Sequence, residues 1–116
     1  MNHKDLDAWK MGITLVKEVY QITKSFPPEE RYGLTSQIRR CAVSIPSNIA
    51  EGAARNSNKD MSRFLYISLG SLAELETQII IAKELKFSGG IKEIIEPLQR
   101  TRKLIVGLIK YLERKA

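Results

Sequence analysis

The sequence has very few of the side chains on which enzyme and metal sites depend. Its 116 residues include one cysteine, Cys41, and one histidine, His3. A single cysteine cannot form an intrachain disulfide, which suits a reducing compartment. One histidine excludes the paired Glu-x-x-His motifs of di-iron bundles, the Cys/His spacing of zinc sites and a helical Ser–His pair. The sequence therefore predicts a protein with no catalytic residues, no metal site and no cofactor.

Other functional signals are equally scarce. Gly89–Gly90 has no phosphate-loop pattern around it. No apolar run approaches the roughly 20 residues that cross a bilayer, and the opening MNHKDLDAWK lacks the apolar segment of a signal peptide. Cys41 lies on an apolar row, which is typical of a small buried side chain rather than of a nucleophile. We expect one domain, residues 1–116, in the cytoplasm and without a membrane partner.

Positive charge is what the chain has in excess: the net charge is +6. Seven Lys/Arg and three Asp/Glu lie in residues 90–116, so most of the excess is near the end of the sequence. Such a cluster suits attraction to a polyanion. The alternative, which the sequence leaves open, is a solvated helix face with lysines near a helix C-terminus, where the helix dipole favours them.

Apolar residues recur at helical spacing in four segments separated by turn signals. The first segment has two neighbouring rows that predict one broad apolar face: Leu6, Trp9, Ile13, Val16 and Tyr20, and Leu15, Val19, Ile22 and Phe26. The core row of the second segment is Leu34, Ile38, Cys41, Ile45 and Ile49, and that of the third is Met61, Leu65, Ser68, Leu72, Leu75, Ile79 and Ala82. The predicted helices cover residues 6–26, 30–54, 59–85 and 91–114, and the breaks between them are SFPPEER, RNSNKD and FSGG. Ser57 or Asn58 is the candidate N-cap of the third helix, and the glycines of FSGG are expected to end it. No segment has strand periodicity. The sequence predicts an all-α, antiparallel up-down four-helix bundle.

Two prolines interrupt this pattern. Pro46 lies within the second segment, where the apolar row continues on both sides of it, so we expect it to kink that helix and to free the carbonyl of Ala42. Ser47 and Asn48 are placed to satisfy backbone groups near the bend. Pro97 either kinks the fourth helix or marks its true start.

The second segment carries polar residues along one edge and not simply on its outer side. On a helical wheel, the polar edge beside the core row consists of Arg40, Ser44, Ser47, Asn48, Glu51 and Arg55. The third segment has a matching edge of Arg63, Ser71, Glu74 and Gln78, near Gly70. We predict a hydrogen-bonded assembly seam, built from Arg40, Ser44, Pro46, Asn48, Glu51, Ser71 and Glu74. In it Arg40 or Arg55 meets Glu74, within the chain or between chains. Such a seam fixes register and partner choice more than stability.

A further set of apolar residues lies off the core rows. This set is Val43, Ala50, Ala54, Ile80 and Ile81, and it favours an oligomer, although scattered exposed apolar residues are also normal. Glu51 and Glu74 would act as an acid–base pair only if they converged in a cleft, and nothing else in the sequence assembles around them.

Several strings of the sequence resemble one known family. They are DLDAWKMGITLVKEVYQITKSFP, YGLTSQIRRCAVSIPSNIAEGAAR and FLYISLGSLAELETQI, of which the middle string is the most specific. The chain is similar to the four-helix-bundle 23S rRNA intervening-sequence proteins, also labelled S23 ribosomal proteins. The resemblance implies a bacterial homopentameric ring, similar to the nucleic-acid-binding accessory variability protein of diversity-generating retroelements. It implies no catalytic residue, and the C-terminal quarter is generic.

Two functions from different classes follow. The first is a basic oligomer associated with RNA or DNA through electrostatic phosphate contacts, with candidate contacts at Arg39, Arg55, Arg100, Arg102 and Lys103. The second is a ring that serves as a scaffold for a protein partner, in which the positive charge has no direct role.

Overall fold

Four α-helices make up the protein. The structure is a computed structural model that describes residues 1–87 and 90–115. The helices are α1 (Asp7–Thr23), α2 (Leu34–Ala53), α3 (Asn58–Glu84) and α4 (Lys92–Lys115), and short 3-10 turns, His3–Asp5 and Pro28–Glu30, precede the first two. No strand occurs in the described ranges. The predicted all-α fold with four helices is confirmed.

Each helix packs against two others, in the order α1–α2–α3–α4 and back to α1, and the core lies between them. Contacts between successive helices join the end of one to the beginning of the other. Arg39, early in α2, contacts Thr23 at the end of α1, and Glu113, late in α4, accepts a hydrogen bond from Tyr66, early in α3. The result is an elongated body of 46 × 23 × 20 Å.

The apolar rows identified in the sequence supply most of the core. In α3 the whole predicted row, from Met61 to Ala82, is buried, and in α2 the row is buried from Ile38 to Ile49. Helix α1 differs, because its buried side is narrower than its two rows suggest. The row that contains Leu15 is buried, whereas Ile13 and Tyr20 are 37% and 41% exposed.

Pro46 lies inside α2, which continues through it without a break. The ring is buried and packs against Gly12 of α1, where a Cβ atom would lie 3.3 Å from the Pro46 Cβ. The Asn48 amide donates to the Ser44 carbonyl at 2.8 Å, one turn back along the same helix. The local polar support expected beside the proline is therefore present at Asn48, and a bend at Pro46 stays a prediction.

Pro97 also lies inside its helix, because α4 begins at Lys92. The alternative that Pro97 starts the helix is therefore wrong. Thr101 donates its hydroxyl proton to the Pro97 carbonyl at 2.7 Å.

Helix α3 begins with the expected N-cap residue and ends with a C-cap that the sequence did not predict. Ser57 is the N-cap, and its hydroxyl accepts from the Asp60 amide at 3.1 Å. At the other end the helix stops at Glu84, before the glycines that were expected to end it. Lys86 adopts a left-handed φ of 60°. Its amide donates to the Lys83 carbonyl, and the Phe87 amide donates to the Ala82 carbonyl, both at 3.0 Å.

These two bonds form a Schellman motif, so Lys86 takes the closing position that glycine usually occupies. The expectation of a glycine stop is wrong on this point. Gly89, the first glycine of FSGG, lies outside the described residues.

Helix α3 is apolar enough, by length and composition, to cross a membrane; it is the single such helix in the described part of the chain. One 18-residue window of α3 has a mean hydropathy of 1.3, and 39% of this window is buried inside the protein. A core helix passes the same test, so this is weak evidence for a membrane span. The high hydropathy arises because α3 carries apolar residues on its outer side as well as toward the core.

Candidate nucleic-acid interface

Neutral groups, rather than charges, form the polar contact between α2 and α3. Ser44 Oγ and Ser71 Oγ form a hydrogen bond of 2.9 Å, and the Ser44 hydroxyl also lies 2.6 Å from the Cys41 carbonyl. The Cys41 thiol donates to the Ser71 carbonyl at 3.1 Å, and the Ser68 hydroxyl donates to the Ile45 carbonyl at 3.0 Å. We call these five residues the serine seam. The structure thus brings Ser44 and Ser71 together.

The charged members of the predicted edge point outward. Glu51, in the last turn of α2, and Arg55, just after it, form an ion pair of 3.5 Å with side chains 54% and 44% exposed. A pair this exposed adds little stability. Arg55 also lies over the Phe64 ring, with its guanidinium carbon 4.9 Å from the ring centroid.

The expected contact of Arg40 or Arg55 with Glu74 is not formed within the chain. In residues 1–87 and 90–115 the ion pairs are Arg55–Glu51 and Arg102–Glu76. Glu74 instead accepts from the Gln78 amide at 3.2 Å, and Arg40 is exposed. Because α2 and α3 run in opposite directions where they touch, Arg55 lies beside the start of α3 and not beside Glu74.

Cys41 is a buried structural thiol, as the sequence predicted. Burial, and in second place the nearby Glu74 carboxylate, raise the pKa of the Cys41 thiol from 9.0 to about 11. The thiol is therefore protonated at neutral pH and is a poor nucleophile. Glu51 and Glu74 do not share a hydrogen bond in the described residues. Glu51 accepts from Arg55, just after α2, and Glu74 accepts from Gln78 on α3.

Two of the five candidate phosphate-binding cations already have carboxylate partners. Arg102 is half-buried, and its guanidinium lies 3.1 Å from the Glu76 carboxylate and 3.1 Å from the Gln99 side-chain oxygen. Arg55 is held by Glu51 and Phe64, as described above. Arg102 is therefore less available to a phosphate than Arg55, because the Arg55 ion pair is longer and more exposed.

Arg100 and Lys103 belong to a longer row of cations on the outer side of α4. The exposed cations at helical spacing, which we call the basic stripe, are Lys92, Arg100, Lys103, Lys110 and Arg114. At a rise of 1.5 Å per residue the stripe extends over roughly 33 Å. Within the described ranges none of the five forms an ion pair, although Glu96 interrupts the row.

Three exposed lysines lie on α1, which packs beside α4, and at the helical C-cap residue that follows it. Lys10, Lys17 and Lys24 recur every seven residues and therefore share one side of the helix. Met11, Thr14 and Glu18 of α1 meet Glu93, Pro97 and Arg100 of α4 along an open cleft of about 390 Å³. We call the three lysines and the basic stripe together the basic face.

These lysines were missed in the sequence because charge was balanced over whole segments. The net charge of residues 1–28 is small, since acidic residues offset the lysines there. The seven-residue spacing was the available signal.

Arg39, the remaining candidate, is fixed on α1. Its Nε donates to Thr23 Oγ1 at 2.8 Å, and its guanidinium carbon lies 4.6 Å from the Tyr20 ring centroid. The side chain is half-buried and belongs to neither ion pair of the described residues.

The opposite side of the bundle has a different character. The exposed small and apolar residues on α2, just after it and on α3, which we call the apolar face, are Val43, Ala54, Ile67, Gly70, Ala73 and Ile81, and exposed Arg40, Ser47 and Glu51 of α2 lie beside them. Val43, Ile67 and Ile81 are 40%, 42% and 43% exposed. Apart from its chain neighbours and the nearby backbone of its own helix, no atom of the described residues lies within 4 Å of a Cβ built at Gly70. Arg40 and Glu74 are exposed on the same two helices.

An apolar groove lies between the end of α3 and the start of α4. It has a volume of about 370 Å³, and isoleucines and a leucine form most of its wall, with Lys83 and Lys92 beside them. Ile80 and Ile95 in this wall are 53% and 46% exposed. This groove continues the apolar outer surface of α3 toward α4.

In the part of the chain that the structure describes, no three His, Cys, Asp or Glu side chains are grouped so as to hold a metal ion. A model of the family described as 23S rRNA-intervening sequence protein matches residues 4–107, which is most of the chain. No curated protein matches the sequence.

Proposed function

The chain belongs to the 23S rRNA-intervening sequence protein family, and from this membership we propose that it is a non-catalytic, oligomeric bundle that binds RNA. The observation that carries the proposal is the division of its exposed surface. Exposed cations without an ion-pair partner in the described residues recur along α1 and α4, whereas α3 carries the exposed small and apolar residues Ile67, Gly70, Ala73 and Ile81 and α2 carries exposed Val43. Phosphates are bound at the basic face, and a second copy packs on the apolar face.

The basic face suits the backbone of a nucleic acid better than its bases. Its cations are long, exposed side chains, most of them without a partner that would fix them, and this arrangement favours phosphate contacts over reading of base edges. Binding through such contacts releases counterions, so affinity falls steeply with salt. We expect weak sequence selectivity.

The experiment compares two variants that lose equal charge. Arg100→Gln with Lys103→Gln removes two cations from the basic stripe, and Lys59→Gln with Arg63→Gln removes two exposed cations from α3. Affinity for an unmodified RNA is measured at several salt concentrations. The stripe variant is expected to bind more weakly, and its log–log salt slope is expected to be smaller by about 1.5. The α3 variant is expected to match the parent protein.

Two results would contradict RNA binding at this face. One is absence of RNA binding by the parent protein at low salt. The other is an equal loss of affinity in both variants, which would show that net charge matters and position does not.

Assembly through the apolar face explains apolar residues that are otherwise left in water. Exposed apolar residues grouped on one helix mark an interaction surface, and Gly70, one turn from Ile67 and from Ala73 on α3, permits close approach of another backbone. Arg40 and Glu74, which are not paired with each other within the chain, are available for ion pairs between copies. The family resemblance suggests a ring of five.

Gly70 and Gly107 provide a matched test of this interface. Both lie on helices with free space at the Cβ position, but Gly107 is on α4. Gly70→Gln is expected to dissociate the oligomer in sedimentation or light-scattering measurements, whereas Gly107→Gln leaves its mass unchanged. Arg40→Ala and Glu74→Ala are likewise expected to change oligomer mass or melting more than Lys110→Ala. A monomeric parent protein, or equal behaviour of both glycine variants, would refute the interface.

The apolar groove favours the second candidate function, a scaffold for a protein partner. Its isoleucine wall between Lys83 and Lys92 fits an apolar segment with acidic residues. Such a partner should remain bound after nuclease treatment and in high salt, and should be lost in Ile95→Glu. Loss of every partner under those conditions would count against the scaffold.

A further inference from the structure

Arg39 is held in a fixed orientation at the end of the bundle where α1 passes into α2. The Thr23 hydroxyl that receives its Nε proton is buried, and this hydroxyl lies 2.8 Å from the Val19 carbonyl, to which it donates. The Tyr20 ring also supports the guanidinium, whose carbon lies 4.6 Å from the ring centroid. Two contacts from α1 thus restrict a side chain that is normally mobile, and the planar group is preorganised.

The charge on this guanidinium has no carboxylate partner in the described residues. A half-buried cation without a counter-ion has lost part of its hydration, and a ring quadrupole replaces only a fraction of it. The positive charge of Arg39 is therefore only partly compensated by contacts within the described residues. It offers a flat cationic surface on which a nucleobase can stack, with N–H groups at its edge for a phosphate.

A second arginine–tyrosine pair lies in the turn before α2. Tyr32 is 87% exposed, more than any other large apolar or aromatic side chain described. The Arg31 guanidinium carbon lies 5.4 Å from its ring centroid. An aromatic ring this exposed adds little to the core, and its uncovered face is free for stacking.

The α1 lysines lead to this end of the bundle. Lys17 lies three residues before Tyr20 and Lys24 lies four residues after it, so both flank the ring on the surface of α1. A strand whose phosphates follow these lysines passes Tyr20 and Arg39. Arg39 contacts α1 and not α3, so this site is separate from the apolar face.

We propose that Tyr20–Arg39 and Arg31–Tyr32 form a stacking site for unpaired nucleobases, which gives the protein a preference for single-stranded over duplex nucleic acid. This inference rests on the proposed function. Duplex bases are stacked on each other and cannot use the site, whereas a single strand binds with both phosphates and bases.

The test measures binding of a fluorescent oligouridine and of an RNA duplex of equal length. Tyr32→Ala removes an exposed ring with little risk to folding, and Arg39→Lys keeps the charge but removes the planar group. Each is expected to weaken single-strand binding by at least about fivefold, the lower end of one base–aromatic stack, without changing duplex binding. The Tyr32→Ala salt slope should equal that of the parent protein, because no phosphate contact is lost.

Tyr111→Ala is the matched control. Tyr111 is 52% exposed and has the Lys115 ammonium 5.5 Å from its ring centroid, but it lies at the end of α4, away from this turn. The Tyr111→Ala variant should bind both the oligouridine and the duplex with the affinity of the parent protein.

The outcomes separate this inference from the proposed function. If the parent protein binds single strand and duplex equally, or if Tyr32→Ala and Arg39→Lys weaken both equally, the stacking site is refuted while RNA binding stands. If the parent protein binds neither RNA at low salt, RNA binding itself is refuted, and the stacking site with it.

Discussion

Pro46 of α2 lies directly against Gly12 of α1. The proline ring requires the small size of Gly12, and the ring in turn fills the space beside the glycine. A Cβ at position 12 would be 3.3 Å from the Pro46 Cβ and 3.6 Å from its Cα. The proline costs α2 a backbone hydrogen bond. In return its rigid ring fills the space that Gly12 leaves, so this interior proline has a packing role between two helices.

Substitutions at Gly12 should therefore behave differently from those at Gly107. Gly107→Ala is expected to stabilise the protein by about 0.5–1 kcal/mol, because alanine has the higher helix propensity and the site has space. At Gly12 the same gain should be cancelled by the contact with Pro46, and Gly12→Leu should cost about 1–3 kcal/mol through overpacking. Thermal melts of the three variants check this. Equal gains at both glycines would show that α2 can move away freely.

Lys86→Gly should stabilise the end of α3. A non-glycine residue in the left-handed region costs about 1–2 kcal/mol, and glycine avoids most of that cost. The expected gain in unfolding free energy is about 1 kcal/mol, measured by denaturant titration. Lys83→Gly, three residues earlier and inside the helix, removes the same charge and should instead destabilise by about 1 kcal/mol. A loss of stability in Lys86→Gly would contradict the assigned closing position.

Cys41 should be unreactive in the folded protein and should make stability depend on alkaline pH. Its folded pKa of about 11 lies above its ordinary value of 9.0, so the native state holds the thiol proton more tightly. The stabilising contribution is complete below pH 9 and is lost as the pH rises through 11. Relative to Cys41→Ala, the parent protein should lose stability over that interval. Disulfide-exchange reagents should label the thiol slowly at pH 8 and quickly in guanidinium chloride. Fast labelling of the native state would contradict a buried, protonated thiol.

Substitutions at Arg100 and Arg102 should affect two different properties, RNA binding and the stability of the fold. Arg102→Ala breaks the half-buried pair with Glu76 and should lower stability by a few tenths to about 1 kcal/mol, with little effect on RNA binding. Arg100→Ala should weaken RNA binding and leave the melting temperature unchanged. RNA-binding and melting measurements on both variants check this. If Arg102→Ala weakened RNA binding and Arg100→Ala lowered the melting temperature, the phosphate contacts would lie beside Arg102 and not along the basic stripe.

The helix number and most of the core could be predicted, because the buried rows of α2 and α3 follow strict helical spacing. The broad apolar face predicted for α1 was too wide, since periodicity alone does not show that Ile13 and Tyr20 lie beyond the reach of α2 and α4. The stop after α3 was misplaced for a different reason. A lysine in the left-handed region is uncommon, so FSGG was the stronger local signal although the chain had already turned at Lys86.

The polar edge was predictable in composition but not in partners. Ser44 and Ser71 face each other, as expected from their positions on the two helices. The Arg40–Glu74 contact depended on how far two side chains reach. Long exposed side chains adopt many rotamers, so a helical wheel does not show whether their partner is in the same chain, in another chain or water. Arg102 shows the same limit, because its attachment to Glu76 depends on how α3 and α4 align.

The order in which the helices pack determines how the chain can fold. Three of the four packed helix pairs join neighbours in sequence, and only α1 with α4 brings distant segments together. Such a low contact order favours rapid folding. Each helix can dock on the preceding one as it leaves the ribosome, and the arrival of α4 seals the interior by covering α1 and α3 together.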